Sequence, residues 1–428
     1  MIRIPVFVGA AIGVCSLIYF LCMAAMGPNL IVMAVAELLA LAALARWGLL
    51  KELPQGGKAT GWLVSLFCTA LAAAVTSFFV VSSKVPHGEW DAWSIWNLHA
   101  RFLERGGAQW ASQYMKQSDW THADYPLLLP GSIAQFWAYL HSETTLVPIV
   151  LAFLFTFGTI AIFVGAVRQL RGWDQALIAG IFLLCTSLWI RQGAAQYADV
   201  PVAFYMTAAL ALLCLGGTPY IVAAGAMAGL AAWTKNEGLM FVLLLVAARC
   251  VSLLRLKQSA RIVPELMRFA AGLAPVLAIV ALFKLKYAPP NDLLSHAGTA
   301  QRALDVSRYA ATLVELGKHL FSFGDFIVPA AIIVFVYWYC VRAPIPEAHR
   351  LPIWTAGLTF ALMLAGDVAV YILFPNDLDW QIQTSMERVL LQIWPLFLMM
   401  LFWSAAAPDF APKPVVEKHR KTAATQRR

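Results

Sequence analysis

The sequence predicts an all-α protein: a polytopic bundle of about twelve transmembrane helices with a long outward-facing first loop that carries interfacial helices. Three observations predict it. The chain is 61% hydrophobic and only 13% charged over 428 residues, whereas about a quarter of a soluble domain is charged. Its mean hydropathy is +0.71. Apolar runs near the roughly 20 residues that cross a bilayer as a helix recur along the chain. Such a run must pair its backbone groups inside its own helix, because the bilayer core holds no water.

The expected spans are 4–26, 28–47, 60–82, 144–167, 175–190, 199–216, 219–234, 237–253, 269–287, 326–341, 351–374 and 389–406. The first follows Arg3. It is long for a signal-peptide core, lacks a clear cleavage site and leads straight into another span, so it reads as a retained helix. No internal repeat stands out. Residues 1–407 read as one transmembrane domain. Residues 408–428 read as a basic, disordered cytoplasmic tail, with six Lys/Arg between Lys413 and Arg428. The seven cysteines fall in or beside apolar runs without metal-site spacing. They read as small packing residues, with no disulfide framework.

The net charge of +8 is spread over loops and tail. Membrane orientation explains it better than nucleic acid, which is not an expected partner. The short basic loops carry Arg46, Lys51 and Lys58; Arg168 and Arg171; Arg255, Lys257 and Arg261; and Arg342 and Arg350. They are expected in the cytoplasm. The loops at 83–143, 191–198, 235–236, 288–325 and 375–388 then face outward. That parity puts Asp91, Asp199, Lys235, Glu237 and Arg388 at one face.

Each polar residue there carries two readings. Asp91, in GEWDAWSIWNLHARFLERGG (88–107), is an N-cap for a helix from Ala92 or a general base at the membrane surface. Glu89 is a second acid beside it. Trp90, Trp93 and Trp96 suit a helix lying at headgroup level. His122, Asp124 and Tyr125, in THADYPLLLPGS (121–132), line a polar pocket or are ordinary turn residues. Asp199, in QYADVPVAF (196–204), caps a helix or binds a metal ion or substrate hydroxyl at the membrane edge. Lys235 and Glu237, in WTKNEGLMF (233–241), interrupt an apolar run, where ionisable residues are functional by default. Gly238 lets the chain break there. Arg388, in SMERVLLQIWP (385–395), grips a phosphate or snorkels. Within 288–325, an interfacial helix is expected with Val306, Tyr309, Leu313, Leu316 and Leu320 on one face.

These motifs resemble the GT-C superfamily of polytopic glycosyltransferases. The likeness is narrower to bacterial relatives of protein mannosyltransferases and of enzymes that transfer sugars to lipid A. EWDAW, YPLLLPGS, YADVP and TKNEG carry it, with a weaker echo in ERVLLQIWP. One departure is that the acidic loop follows the first helix in many members, whereas here two apolar spans come earlier. The resemblance implies an inverting sugar transfer from a polyprenyl-phosphate donor to a lipid, glycan or protein acceptor hydroxyl, among membrane lipids, at the outer side of a bacterial inner membrane. It implies Asp91 as base, leaving open whether Glu89 fills that role. Lys235 and Arg388 would hold the donor phosphate. Asp199, Glu237, Tyr125, His122 and Asp124 would position substrate. No cofactor is certain; a divalent metal ion on Asp91 and Asp199 is left open. The rival class is a transporter or lipid-linked glycan flippase using Glu37, Asp367 and Lys235 along a path.

Overall fold

The computed structural model describes residues 2–46, 57–117, 119–291, 298–342, 344–375 and 377–406. The expected tail at 408–428 lies outside them. The described chain is an all-α polytopic bundle, and a helix stands at every expected span. In chain order these are α1 (Arg3–Met26), α2 (Leu30–Arg46), α3 (Gly61–Lys84), then α4 (Asn97–Arg105) and α5 (Leu128–Leu140) within the long loop. Next come α6 (Leu146–Arg171), α7 (Trp173–Leu184), α8 (Ser187–Ala194), α9 (Asp199–Leu215), α10 (Thr218–Thr234), α11 (Asn236–Arg255) and α12 (Ile262–Lys286). The last are α13 (Val306–Ser322), α14 (Ala330–Val341), α15 (Glu347–Leu373) and α16 (Leu378–Ser404).

By length and composition, seven of the described helices can each cross a membrane, or eight if the pair α7–α8, bent by 61°, is one span. The other expected spans are shorter: α2, α9 and α10 have 17 residues and α14 has 12. Burial explains α9. It is covered from Asp199 to Leu213, and a helix apolar on every side belongs in a protein core, where it need not match the lipid thickness by itself.

Contacts sort the helix ends into two sets. At one end, Thr60 N–H donates to Asp174 at 2.8 Å, Arg171 Nε to the Trp403 carbonyl at 2.7 Å, and Ala406 N–H to the Val341 carbonyl at 2.8 Å. Arg249 meets Glu265 at 2.8 Å on this side too. At the other end, Trp110 Nε1 donates to the Met23 carbonyl at 3.1 Å and Arg302 Nε to the Leu373 carbonyl at 2.7 Å. Arg308 reaches the carbonyls of Tyr371, Ile372 and Phe374 at 2.8–3.0 Å, a guanidinium cap on the C-terminus of α15. Successive spans therefore alternate in direction, as the parity argument requires.

One expectation changes and one is filled in. Residues 128–140, expected as loop, form α5, buried from Leu128 to Gln135. Ser16 fixes it to α1 by donating to the Leu127 and Leu128 carbonyls at 3.1 and 3.0 Å. The 288–325 segment does hold a helix, α13, but Val306, Tyr309, Leu313 and Leu320 stay exposed and only Leu316 of that face is buried. An apolar stripe left largely exposed is what a membrane-surface helix presents.

Glycine sets the closest packing. A Cβ at Gly225 would lie 2.0 Å from the Phe269 carbonyl oxygen, and one at Gly272 1.9 Å from that of Val222. Helices α10 and α12 thus touch backbone to backbone, the close approach that small residues allow in membranes. Gly272→Ala is expected to lower the thermal unfolding midpoint by roughly 2–10 °C, through overpacking of about 1–3 kcal/mol. Gly317→Ala, in open space, should leave it unchanged or slightly raised. Equal midpoints for wild type and Gly272→Ala would mean that these helices are not in contact.

Candidate active site

The break between α10 and α11 is a single extended residue. Lys235 has φ −148° and ψ 162°, and the Gly238 amide closes the next turn on the Lys235 carbonyl at 3.0 Å. A Cβ at Gly238 would lie 2.0 Å from the Ala231 carbonyl oxygen, so only glycine lets the two helices fold back this tightly. The lysine is left at the corner with its side chain turned into the bundle.

A second corner faces it. Residues 195–198 join α8 to α9, with Gln196 at φ +62° and Gly88 opposite at φ +73°. A Cβ at Gly88 would meet the Ala195 carbonyl at 2.6 Å. The Glu89 amide donates to that carbonyl at 3.1 Å, and Gln196 Nε2 donates to the Pro86 carbonyl at 3.1 Å. These contacts dock the start of the long loop onto the corner that leads into Asp199. The helix that follows opens with a π-helical turn, Ala92–Trp96, a widened geometry found mostly at functional sites.

Five charged side chains then form a run of alternating sign. Asp91 contacts Arg388. Arg388 Nη1 lies 4.0 Å from Asp199 Oδ2. Asp199 Oδ1 accepts from Lys235 Nζ at 2.9 Å, and Lys235 continues to Glu237 Oε1 at 2.9 Å. Gln392 Nε2 also donates to Asp199 Oδ1, at 2.7 Å. Asp199 is 3% exposed and Lys235 8%. Neither aspartate caps a helix: no side-chain cap bond forms on the turn after Asp91, and Asp199 is itself helical with its carboxylate spent on its partners. The capping readings fall because these carboxylates have stronger, charged donors nearby.

Aromatic rings floor the run. The Arg388 guanidinium lies 4.9 Å from the Tyr197 ring and Lys235 Nζ 5.7 Å from the Tyr125 ring. Trp96 stacks with Tyr125 at 5.5 Å and His122 at 5.2 Å. Burial, then the charge of Asp91, pushes the Tyr197 phenol up to about 12. Trp90 and Trp93 are exposed as expected, but Trp96 is buried and belongs to this floor.

The remaining expected residues separate. His122 meets the site through its stacking on Tyr125. Asp124 sits in an adjoining cluster, where its Oδ2 accepts from Asn236 and Asn291 at 2.7 Å each and Lys284 Nζ lies 3.6 Å away. Lys284 donates to the Asn236 side chain at 2.6 Å. Glu89 is exposed and contributes its backbone to the docking, not its carboxylate to the run. Of the two acids, Asp91 alone has its carboxylate in the site. Sequence reasoning missed Gln392, Tyr197, Asn236 and Lys284. Gln392 follows Arg388 by four residues in an apolar run, and Lys284 sits inside another; both were available as signals.

Arg388 fills the space between Asp91 and Asp199, where a shared divalent cation would have to sit. The two carboxylates with a guanidinium between them do not fit a metal ion. Glu37 does not stand on an open path either: it accepts from Gln135 at 2.8 Å and Tyr139 at 2.9 Å. That pairing makes it a structural tie between α2 and α5.

No family model and no curated protein matches this sequence. Solved structures are similar in fold. ArnT from Cupriavidus metallidurans bound to undecaprenyl phosphate aligns at 14% identity over 81% of this chain and 60% of its own, with a TM-score of 0.47. The apo state of the same protein aligns at 13% identity over 80% of this chain and 59% of its own, with a TM-score of 0.44. The chain therefore spans about 60% of the length of the solved relatives it resembles.

Behind the floor, His99 is fully buried and bonded through Nδ1 to the Tyr114 hydroxyl at 3.1 Å. Burial lowers its imidazole from 6.5 to about 3. The unfolded chain therefore takes up this proton first as pH falls. The stabilisation from neutral His99 is complete above about pH 6.5 and is lost progressively toward pH 3. Thermal unfolding between pH 7 and 4 should show a falling midpoint, and His99→Gln should flatten that slope. Parallel slopes in the two proteins would rule out His99 as the titrating group.

Proposed function

We propose that this protein is a membrane glycosyltransferase that moves a sugar from a polyprenyl-phosphate carrier to an acceptor hydroxyl, with inversion at the anomeric carbon. The observation that supports it best is the alternating charge run, set where helix ends leave the apolar bundle. A lipid phosphate needs cations at this depth and room for its chain between helices. Arg388 uses Nε on the Thr384 carbonyl at 3.0 Å and Nη1 on Asp91, which leaves Nη2 for a phosphate oxygen. Lys235 uses two of its three ammonium protons on Asp199 and Glu237.

In this reading the acceptor oxygen attacks the anomeric carbon as its proton passes to Asp91. The bond from that carbon to the phosphate oxygen breaks, and the electron pair stays on the phosphate. Arg388 and Lys235 stabilise the added charge. Phosphate arriving at Arg388 competes with Asp91 for the guanidinium and so releases the base. Asp199 keeps both cations aimed at one point, and Tyr125 with Tyr197 supports them from below. No step needs a metal ion.

The site end faces out of the cytoplasm of a bacterial inner membrane in this proposal. The short loops at the opposite end carry Arg46, Lys58, Arg168, Arg171, Arg255, Lys257, Arg261 and Arg342, the bias that marks cytoplasmic loops. Lipid, glycan or protein hydroxyls are the acceptor classes.

Purified protein given polyprenyl-phosphate pentoses and hexoses, with envelope lipids as acceptors, should yield a glycosylated product detectable by mass spectrometry. Asp91→Asn should reduce turnover by about 10²–10⁴-fold with expression intact. Full activity in that variant would remove Asp91 as the base. Solute uptake into vesicles with no covalent product would replace the enzyme reading with a transporter.

A further inference from the structure

One acid near the site has no role in the charge run. Asp367 lies on α15, six residues before its end at Leu373, or about 9 Å into the bundle. It is 6% exposed, and it makes no hydrogen bond or ion pair among the described residues; its Oδ2 is fully enclosed without a partner. Glu237, across on α11, is in the same position by half: Oε1 takes Lys235, while Oε2 is enclosed without a partner. A buried acceptor left unpaired destabilises the fold by about 1–3 kcal/mol, and such groups are uncommon enough that each calls for an explanation.

The two carboxylates belong to one place. Helices α11 and α15 touch beside them: a Cβ on Gly366 would lie 2.6 Å from Met240 Sδ, and Met240 is one turn after Glu237. Glu237 and Lys235 are the charged groups that bear on Asp367. Tyr371, one turn above Asp367, bonds to Ser385 at 2.8 Å and closes the upper side. The pair therefore sits next to Lys235 and leaves Asp367 Oδ2 and Glu237 Oε2 without protein partners.

We propose that Asp367 and Glu237 form the subsite that reads the hydroxyl groups of the carried sugar. Carboxyl oxygens accept hydrogen bonds and a sugar ring is a neutral array of hydroxyl donors, so each satisfies the other. The placement follows the order of groups in the donor: phosphate on Lys235 and Arg388, sugar one step further at Glu237 and Asp367. Here Asp367 sets specificity and takes no proton in the reaction. This inference rests on the transferase reading above.

The test compares binding of bare polyprenyl phosphate with binding of a panel of polyprenyl-phosphate pentoses and hexoses to the full chain in nanodiscs. In the wild type at least one sugar should tighten binding over the bare lipid. Asp367→Asn and, separately, Glu237→Gln should each erase about tenfold of that gain, because the amide nitrogen that replaces a carboxyl oxygen cannot accept a hydrogen bond. For Asp367→Asn, affinity for the bare lipid and the unfolding midpoint should hold. In turnover, Asp367→Asn should raise donor KM with little change in kcat, the reverse of Asp91→Asn. If sugar tightens binding in the wild type and equally in both variants, the subsite is overturned while the transferase reading stands. If bare and glycosylated lipids bind the wild type with one affinity, the subsite also falls alone. If neither lipid binds, both readings fall.

Discussion

The polar end of this bundle is organised around the buried carboxylate of Asp199. Its two oxygens take Lys235 from one helical corner, Gln392 from the last helix and the approach of Arg388 from the same helix. A lone carboxylate this deep would be strongly destabilising, and so would either cation. Each is tolerable only because the others are there. Helices α9, α10, α11 and α16 are therefore tied to one another at this end by charge, where elsewhere they are held by apolar packing.

That tie explains the strict local geometry around it. Gly88 and Gly238 each stand where a methyl group would strike a carbonyl oxygen, at 2.6 and 2.0 Å. Both shorten the approach of a corner to the helices it must reach. The first brings Asp91 within contact of Arg388, and the second turns Lys235 inward. Arg388 in turn occupies the gap between two aspartates, so the charge balance there comes from the chain's own guanidinium.

Much of this was legible in the sequence, and for definite reasons. Apolar runs bounded by polar corners mark helices whatever their neighbours, so every expected span has its helix. The acids and bases of the run stood out because an ionisable group in an apolar stretch is rare, and the parity of spans put them at one end. What failed depended on the third dimension. Helix α5 was hidden because its apolar residues follow a long polar loop and look like its continuation. Asp91 and Asp199 looked like caps because capping is local, while their true partners lie 297 and 36 residues away. Glu89 and Asp91 could not be told apart by type; only the docking of Gly88 shows which carboxylate turns inward. Tyr197 and Tyr125 carry no sequence mark of lying beneath cations.

The one-residue connection at Lys235 also governs what this stretch presents at the end of the bundle. Two helices joined by a single extended residue leave no loop between them, so α10 and α11 form a tight hairpin with the lysine at its tip. That corner carries Lys235 and Glu237 two positions apart, paired at 2.9 Å. The tip of the hairpin therefore carries a neutral dipole instead of two separate ions, which are far costlier to keep beside lipid.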